Sequence, residues 1–242
     1  LKPRDQVFAV PPVWIPHPVL WGNYVTVLGT FPFFLYLKNT LVYCAISILG
    51  AVPSSCIVAY SFSRIRWWGN ILFWTVIATM MIPGQVTMIP IYVTFSRLRW
   101  IDTYFPLWVP AWFGGSAYFI FLLRQFMLTI PGELEESARI DGANHLLIYT
   151  RIMLPLIVPS LMTISIFCFM NNWNEFMGPL IYLNTPEKST LSLALRLFQQ
   201  SGGTEFGMLM AAATLMTLPV ITFFFIGQKS FIEGVVLTGM KA

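Results

Sequence analysis

Four of the ten acidic residues, Glu133, Glu135, Glu136 and Asp141, crowd into one polar stretch, Pro131 to Pro155. Arg139 and Arg151 share that stretch, and Arg124 lies just before it. Carboxylates and guanidinium groups so spaced can pair with one another or with a second protein. They do not make a catalytic set. Glu175 directly follows an apolar run, and no titratable partner adjoins it. Cys44, Cys56 and Cys168 all lie inside apolar runs without ligand spacing, and His17 and His145 share no neighbourhood. Small buried hydrophobes, not a metal site or a disulfide, are expected of these cysteines.

The polar stretch reads as a short helix, a turn and a second helix. Pro131 suits a first helical position, where its missing N–H would be unpaired anyway. The three glutamates fall where the helix dipole favours negative charge. Glu135 and Arg139, four apart, can pair along an exposed surface for about 0.3–0.5 kcal/mol. Ser137, Ala138 and Ala143 leave a low-relief face that another protein could approach. Gly142 breaks the helix, being best able to take the left-handed conformation past a helix end.

Around this stretch the chain is oily. Apolar residues make up 57% of the 242 and charged ones 10%, against about 25% charged in soluble domains. The net charge of +4 is scattered, and no basic run interleaves with aromatics, which argues against nucleic-acid binding. Five uncharged runs, 39–63, 67–96, 103–123, 152–174 and 206–228, can each cover a bilayer core of about 30 Å. No arginine falls inside them, where one would cost about 2.5–3.5 kcal/mol. Residues 1 to 38 are cut up by Pro11, Pro12, Pro16, Pro18 and Pro32, so a short interfacial helix near Leu20 to Leu28 is expected there, not a span. The expected fold is an all-α integral membrane protein, a polytopic helical bundle in a lipid bilayer. The 14 Lys and Arg divide evenly between the two sides, so charge does not set the orientation.

Two places could meet a solute. In the second run, Pro83, Gly84 and Pro90 free backbone carbonyls in mid-membrane, with Thr79, Gln85 and Thr87 around them. Such breaks are tolerated beside neighbouring helices or a water-filled cavity, which makes Thr79 and Gln85 candidate path residues. The fourth run ends in Asn171, Asn172, Trp173 and Asn174. Amides bond sugar hydroxyls and an aromatic face packs on a sugar ring, although a membrane-interface belt uses tryptophan as well. On the sugar reading, Trp173→Ala lowers uptake with assembly intact. No phosphate-binding Gly-x4-Gly-Lys-Ser/Thr loop occurs; the nearest approach, Gly202 to Gly207, has Met208 in place of the lysine.

Glu136-Ser137-Ala138, Asp141-Gly142-Ala143 and Ile152-x-Leu154-Pro155 resemble the EAA loop of importer-type ABC transporter permeases. Ser137 stands where that motif has its first alanine. Met80 to Thr87, Phe121 to Phe126, Trp173-Asn174-Glu175-Phe176 and Leu237 to Lys241 extend the resemblance over nearly the whole chain. They are similar to the carbohydrate-uptake branch, specifically the maltose-type second permease subunit. The resemblance implies the type I importer permease fold, with a sixth span preceding the present first residue. It implies location in the cytoplasmic membrane of a prokaryote. It assigns ATPase coupling to a cytoplasmic loop at 131–151, through Glu135, Glu136, Ser137, Ala138, Asp141, Gly142 and Ala143. The implied partners are a homologous MalF-like permease, two nucleotide-binding ATPase subunits that use Mg-ATP, and an extracytoplasmic solute-binding protein. That protein would meet the loop 175–205, and the tail from Phe231 to Ala242 would lie near the ATPases. The chain itself is then a transport subunit without a catalytic residue or cofactor. Its cargo is a sugar or, alternatively, glycerol phosphate or another polyol or phosphate ester.

Overall fold

Prolines decide where the helices of this chain stop and start. The computed structural model describes residues 1–30, 32–65, 69–201 and 206–239, with backbone alone at Gly69, 197–201 and 227–239. Two short helices, α1 (Arg4–Val7) and α2 (Gly22–Thr30), flank the proline-rich segment. Pro32 then stands at the N-cap of α3, Phe33–Arg64. A proline there sacrifices no helical hydrogen bond, so the first span begins six residues before the expected 39. At 32 residues, α3 is about 48 Å long, more than a bilayer core requires.

The second run is not one helix. α4 (Gly69–Thr79) and α5 (Gly84–Arg97) meet at a 93° bend. Pro83 holds Ile82 out of the helical region and cannot donate a helical N–H, which accounts for the break. The start of that run, at 67 and 68, lies outside the described residues. α6 (Phe105–Trp112) and α7 (Ala117–Thr129) follow and read together as one span. This span outruns the expected end at 123 and takes in Arg124. That guanidinium sits 4.1 Å from the centroid of the Phe73 ring and donates from Nε to the Phe62 carbonyl at 3.3 Å. Placed near the helix end and covered by an aromatic face, it avoids the mid-span cost.

The polar stretch forms α8 (Glu133–Ile140) and α9 (His145–Ile148). A π-helical turn, Tyr149–Met153, and α10 (Leu154–Leu156) lead to α11 (Val158–Asn174), which leaves at 75°. Pro159 in the first turn of α11 cannot donate to the 155 carbonyl and its ring crowds it, so the helix turns here. The remaining elements are α12 (Met177–Tyr182), a 3-10 turn at Pro186–Lys188, α13 (Leu191–Ser201) and α14 (Phe206–Gly239). Among the described residues every regular element is a helix. Three stretches, Phe33–Arg64, Phe105–Thr129 and Phe206–Ile226, are long and apolar enough to cross a membrane, and the two bent pairs raise the number to five.

α3 is the central post. Its Ala51, Cys56 and Ala59 pack with Leu123 and Met127 of α7, Ile148, Met153 and Ile157 between the end of α9 and the start of α11, and Ile164 and Cys168 of α11. Close approach sets the α3–α6 contact: a Cβ on Gly50 would lie 1.8 Å from Trp112 Cδ1. Small residues at such crossings let helices pack closely where lipid supplies no hydrophobic drive.

The end of the bundle opposite the polar stretch is tied by Asp102. Its backbone lies in the left-handed region at φ 59°. Its carboxylate accepts from the Asn184 and Thr185 N–H groups at 3.0 and 2.9 Å, from the Thr185 hydroxyl at 2.6 Å and from Lys188 Nζ at 2.8 Å. The Lys188 and Thr185 bonds hold the Asp102 carboxyl well below its ordinary 3.8. A depressed folded value stabilises fully above pH 3.8 and loses that contribution as pH falls toward and through the lowered value. Asp102→Asn is therefore expected to melt lower than wild type at neutral pH, with the gap closing below pH 3.8. Melting curves of the purified protein across that range measure it, and a pH-independent gap would refute the assignment.

Candidate functional site: an elbow at one end of the bundle

α8 starts at Glu133 with Gly132 at its N-cap, so Pro131 precedes the helix instead of opening it. At the other end Gly142 takes φ +84°. Its N–H bonds to the Arg139 carbonyl at 3.0 Å and the Ala143 N–H bonds to the Ala138 carbonyl at 2.9 Å. This is a Schellman closure, with glycine at the left-handed position. Asn144 then caps α9, its side-chain oxygen accepting from Leu147 N–H at 2.8 Å. Two caps back to back leave the turn no slack, and the unit is a stiff elbow.

The structure turns the elbow's residues in two directions. Glu135 faces inward, only 5% exposed. Its Oε1 lies 3.0 Å from Arg64 Nε, whereas Arg139 approaches Oε2 at 3.9 Å. The exposed Glu135–Arg139 surface pair expected from the spacing is thus a buried pair with Arg64 at its centre. Ala138 and Ala143 are half-buried against the main core instead of forming an open face. Glu136, Ser137, Asp141 and Gly142 are exposed. The Ser137 hydroxyl donates to the Glu133 carbonyl at 2.8 Å.

Four apolar side chains that sequence reasoning passed over share the outer surface: Leu134, Ile140, Leu146 and Leu147, exposed by 46, 87, 69 and 46%. The signal was present, since large apolar residues inside a polar stretch must either bury themselves or await a partner. The segment His145–Leu156 stands at 75° to α11.

The candidate path residues fall into two groups. Thr79 and Gln85 flank the break between α4 and α5, and both are exposed. At the end of α11, Asn171 and Asn174 are exposed, with Asn174 Nδ2 donating to the Met170 carbonyl at 2.8 Å. Asn172 is spoken for: its Oδ1 accepts from Tyr43 at 2.7 Å and its Nδ2 donates to the Cys168 carbonyl at 2.8 Å. Trp173 is 3% exposed and stacks on Phe169 at 5.3 Å, with Phe169 in turn stacked on Phe223. Neither ring face is open, so in this conformation it is a core residue, not a belt or a sugar platform. No hydrogen bond among the described residues joins the two groups. The tail to Ala242 is a helix through Gly239, and its side chains lie outside the described residues.

A bundle of apolar helices, with sharp bends at the joints of two helix pairs and a capped elbow at one end, defines a polytopic helical membrane protein. The chain belongs to the binding-protein-dependent transport system inner membrane component family, whose model matches residues 51–235. It is 38% identical over 228 residues to a putative ABC transporter permease protein, ORF2, of Caldicellulosiruptor sp., covering 94% of this chain and 82% of the relative. It is 31% identical over 242 residues to the sn-glycerol-3-phosphate transport system permease protein UgpE of Pectobacterium atrosepticum, covering 96% and 85%. A crystal structure of a bacterial ABC transporter involved in import of the acidic polysaccharide alginate superposes with a TM-score of 0.79 at 25% identity, over 92% of this chain and 85% of that one. The chain is therefore an inner-membrane transport subunit of an ABC importer.

Proposed function

We propose that this permease subunit passes a sugar across the cytoplasmic membrane, driven by Mg-ATP hydrolysis on two partner ATPase subunits that dock on the elbow. A homologous MalF-like permease would complete the path, and an extracytoplasmic solute-binding protein would deliver the cargo to the opposite end, near the loop tied by Asp102. The observation that carries the reading is the elbow itself: a doubly capped turn with Ile140 87% exposed beside exposed Glu136 and Asp141. A stiff protrusion of this kind can convert closure of a motor into rigid-body tilting of helices. Docking buries the exposed apolar surface, and the acidic rim favours a basic cleft.

A benzophenone amino acid at Ile140, photolysed in native membranes, is expected to cross-link to an ATP-binding subunit. Cross-links to lipid alone would remove the docking reading. Glycerol phosphate is the second reading of the cargo, favoured by the names of relatives at 30–31% identity. Competition of ATP-driven vesicle uptake by neutral oligosaccharides against glycerol 3-phosphate separates the two.

A further inference from the structure

The geometry points to Arg64 as a positioning residue that locks the elbow to the bundle, so that α8 and the adjoining ends of α3 and α7 move as one body. This rests on the docking reading above and adds the means by which motion entering the elbow reaches the spans. Arg64 is the last residue of α3. Its Nε lies 3.0 Å from Glu135 Oε1 of α8. Its Nη2 donates to the Met127 and Ile130 carbonyls, at 2.6 and 2.8 Å, where α7 ends. The two side chains are 11% and 7% exposed.

One planar group thus ties α3 to the end of α7 by two hydrogen bonds and to α8 by charge. The Ile130 carbonyl lies just past the end of α7, and the Met127 carbonyl accepts there from the Ile130 N–H as well, at 3.2 Å; a cation at this end also suits the helix dipole. Nε and Oε1 are both buried, and their 3.0 Å approach is an ion-pair contact without hydrogen-bond alignment. An apolar contact at this place could slide. A guanidinium fork fixes its donors in one plane, so displacing α8 relative to α3 or α7 breaks a desolvated charge pair or its carbonyl bonds. A buried ion pair gives little net stability compared with well-packed apolar groups; what it supplies here is a defined relative position. Beside the pair a polar cavity of about 440 Å³, lined by Ser63, Glu136, Arg139 and His145, borders the clamp on the side of the exposed Glu136.

The test uses the assembled transporter in nanodiscs with nitroxide labels on Leu128→Cys of α7 and Glu133→Cys of α8. Distance distributions are compared without nucleotide and after trapping with Mg-ATP and vanadate. The wild-type background is expected to give one narrow distance in both states. Arg64→Lys keeps the positive charge but cannot hold three partners in a plane, and is expected to lose the single narrow distance and to shift on trapping. Glu135→Gln, the isosteric change on the other side, is expected to do the same if Arg64→Lys fails to assemble. A trapping-dependent shift in the wild-type background, or an unchanged narrow distance in the variants, overturns the clamp. The Ile140 cross-link distinguishes the failures: if it forms while the clamp result is negative, docking stands and only the clamp falls.

Discussion

Glu135→Ala is expected to destabilise the protein by about 3 kcal/mol, while Glu136→Ala stays within about 0.5 kcal/mol. The neighbours are alike in charge and in motif, and opposite in environment. Removing Glu135 leaves the Arg64 guanidinium buried without its counter-ion, and such a loss is typically worth 3–5 kcal/mol, or ~3 at the low end. The low end applies because Arg64 keeps its bonds to the Met127 and Ile130 carbonyls. Glu136 is exposed, and water replaces whatever it touches. Chemical unfolding of the two purified variants in one detergent measures the difference. Equal losses would mean that Glu135 is not held as described.

Trp173→Ala is expected to cost about 3–5 kcal/mol, the range for emptying a large aromatic site in a packed interior. The residue joins Phe33, Tyr36, Tyr43 and Phe169 in a second core beside Leu191 and Ala194. Its loss would loosen α11 from α3 and from the loop beyond α12, so assembly should fall together with uptake. The sequence left open a sugar contact, with uptake reduced and assembly intact, or a place in a membrane-interface belt. That outcome, a well-assembled variant with unchanged melting and lower uptake, would return Trp173 to the path. Trp173→Phe, which keeps much of the buried area, should recover most of the stability.

Fold class was legible because it rests on composition and run length, which need no knowledge of packing. The elbow was legible for a related reason: Gly142, Asn144 and the clustered carboxylates act locally, through caps and the dipole. What could not be read was direction. Glu135 and Glu136 differ only by 100° around a helix, and nothing in the local sequence says that Arg64, more than seventy positions upstream, waits on one side. A charge ending the apolar run of α3 was a hint without a named partner. The bends were half legible. Pro83 and Pro159 stand where helices suffer, but a 93° turn and a gentle kink leave similar traces in a sequence. The extent of α7 was missed because an arginine was taken as the end of a span. A guanidinium lying on an aromatic ring is tolerated within the helix.

The 75° departure of α11 from the segment His145–Leu156 has a mechanical consequence. Twelve helical residues set across an axis make a crank about 18 Å long. Turning α11 about its own axis by about 10° would sweep the far end of that crank sideways by about 3 Å, at 1.5 Å of arm per residue. The same gearing runs backwards: a small push at the tip delivers torque, not thrust, to the spanning helix.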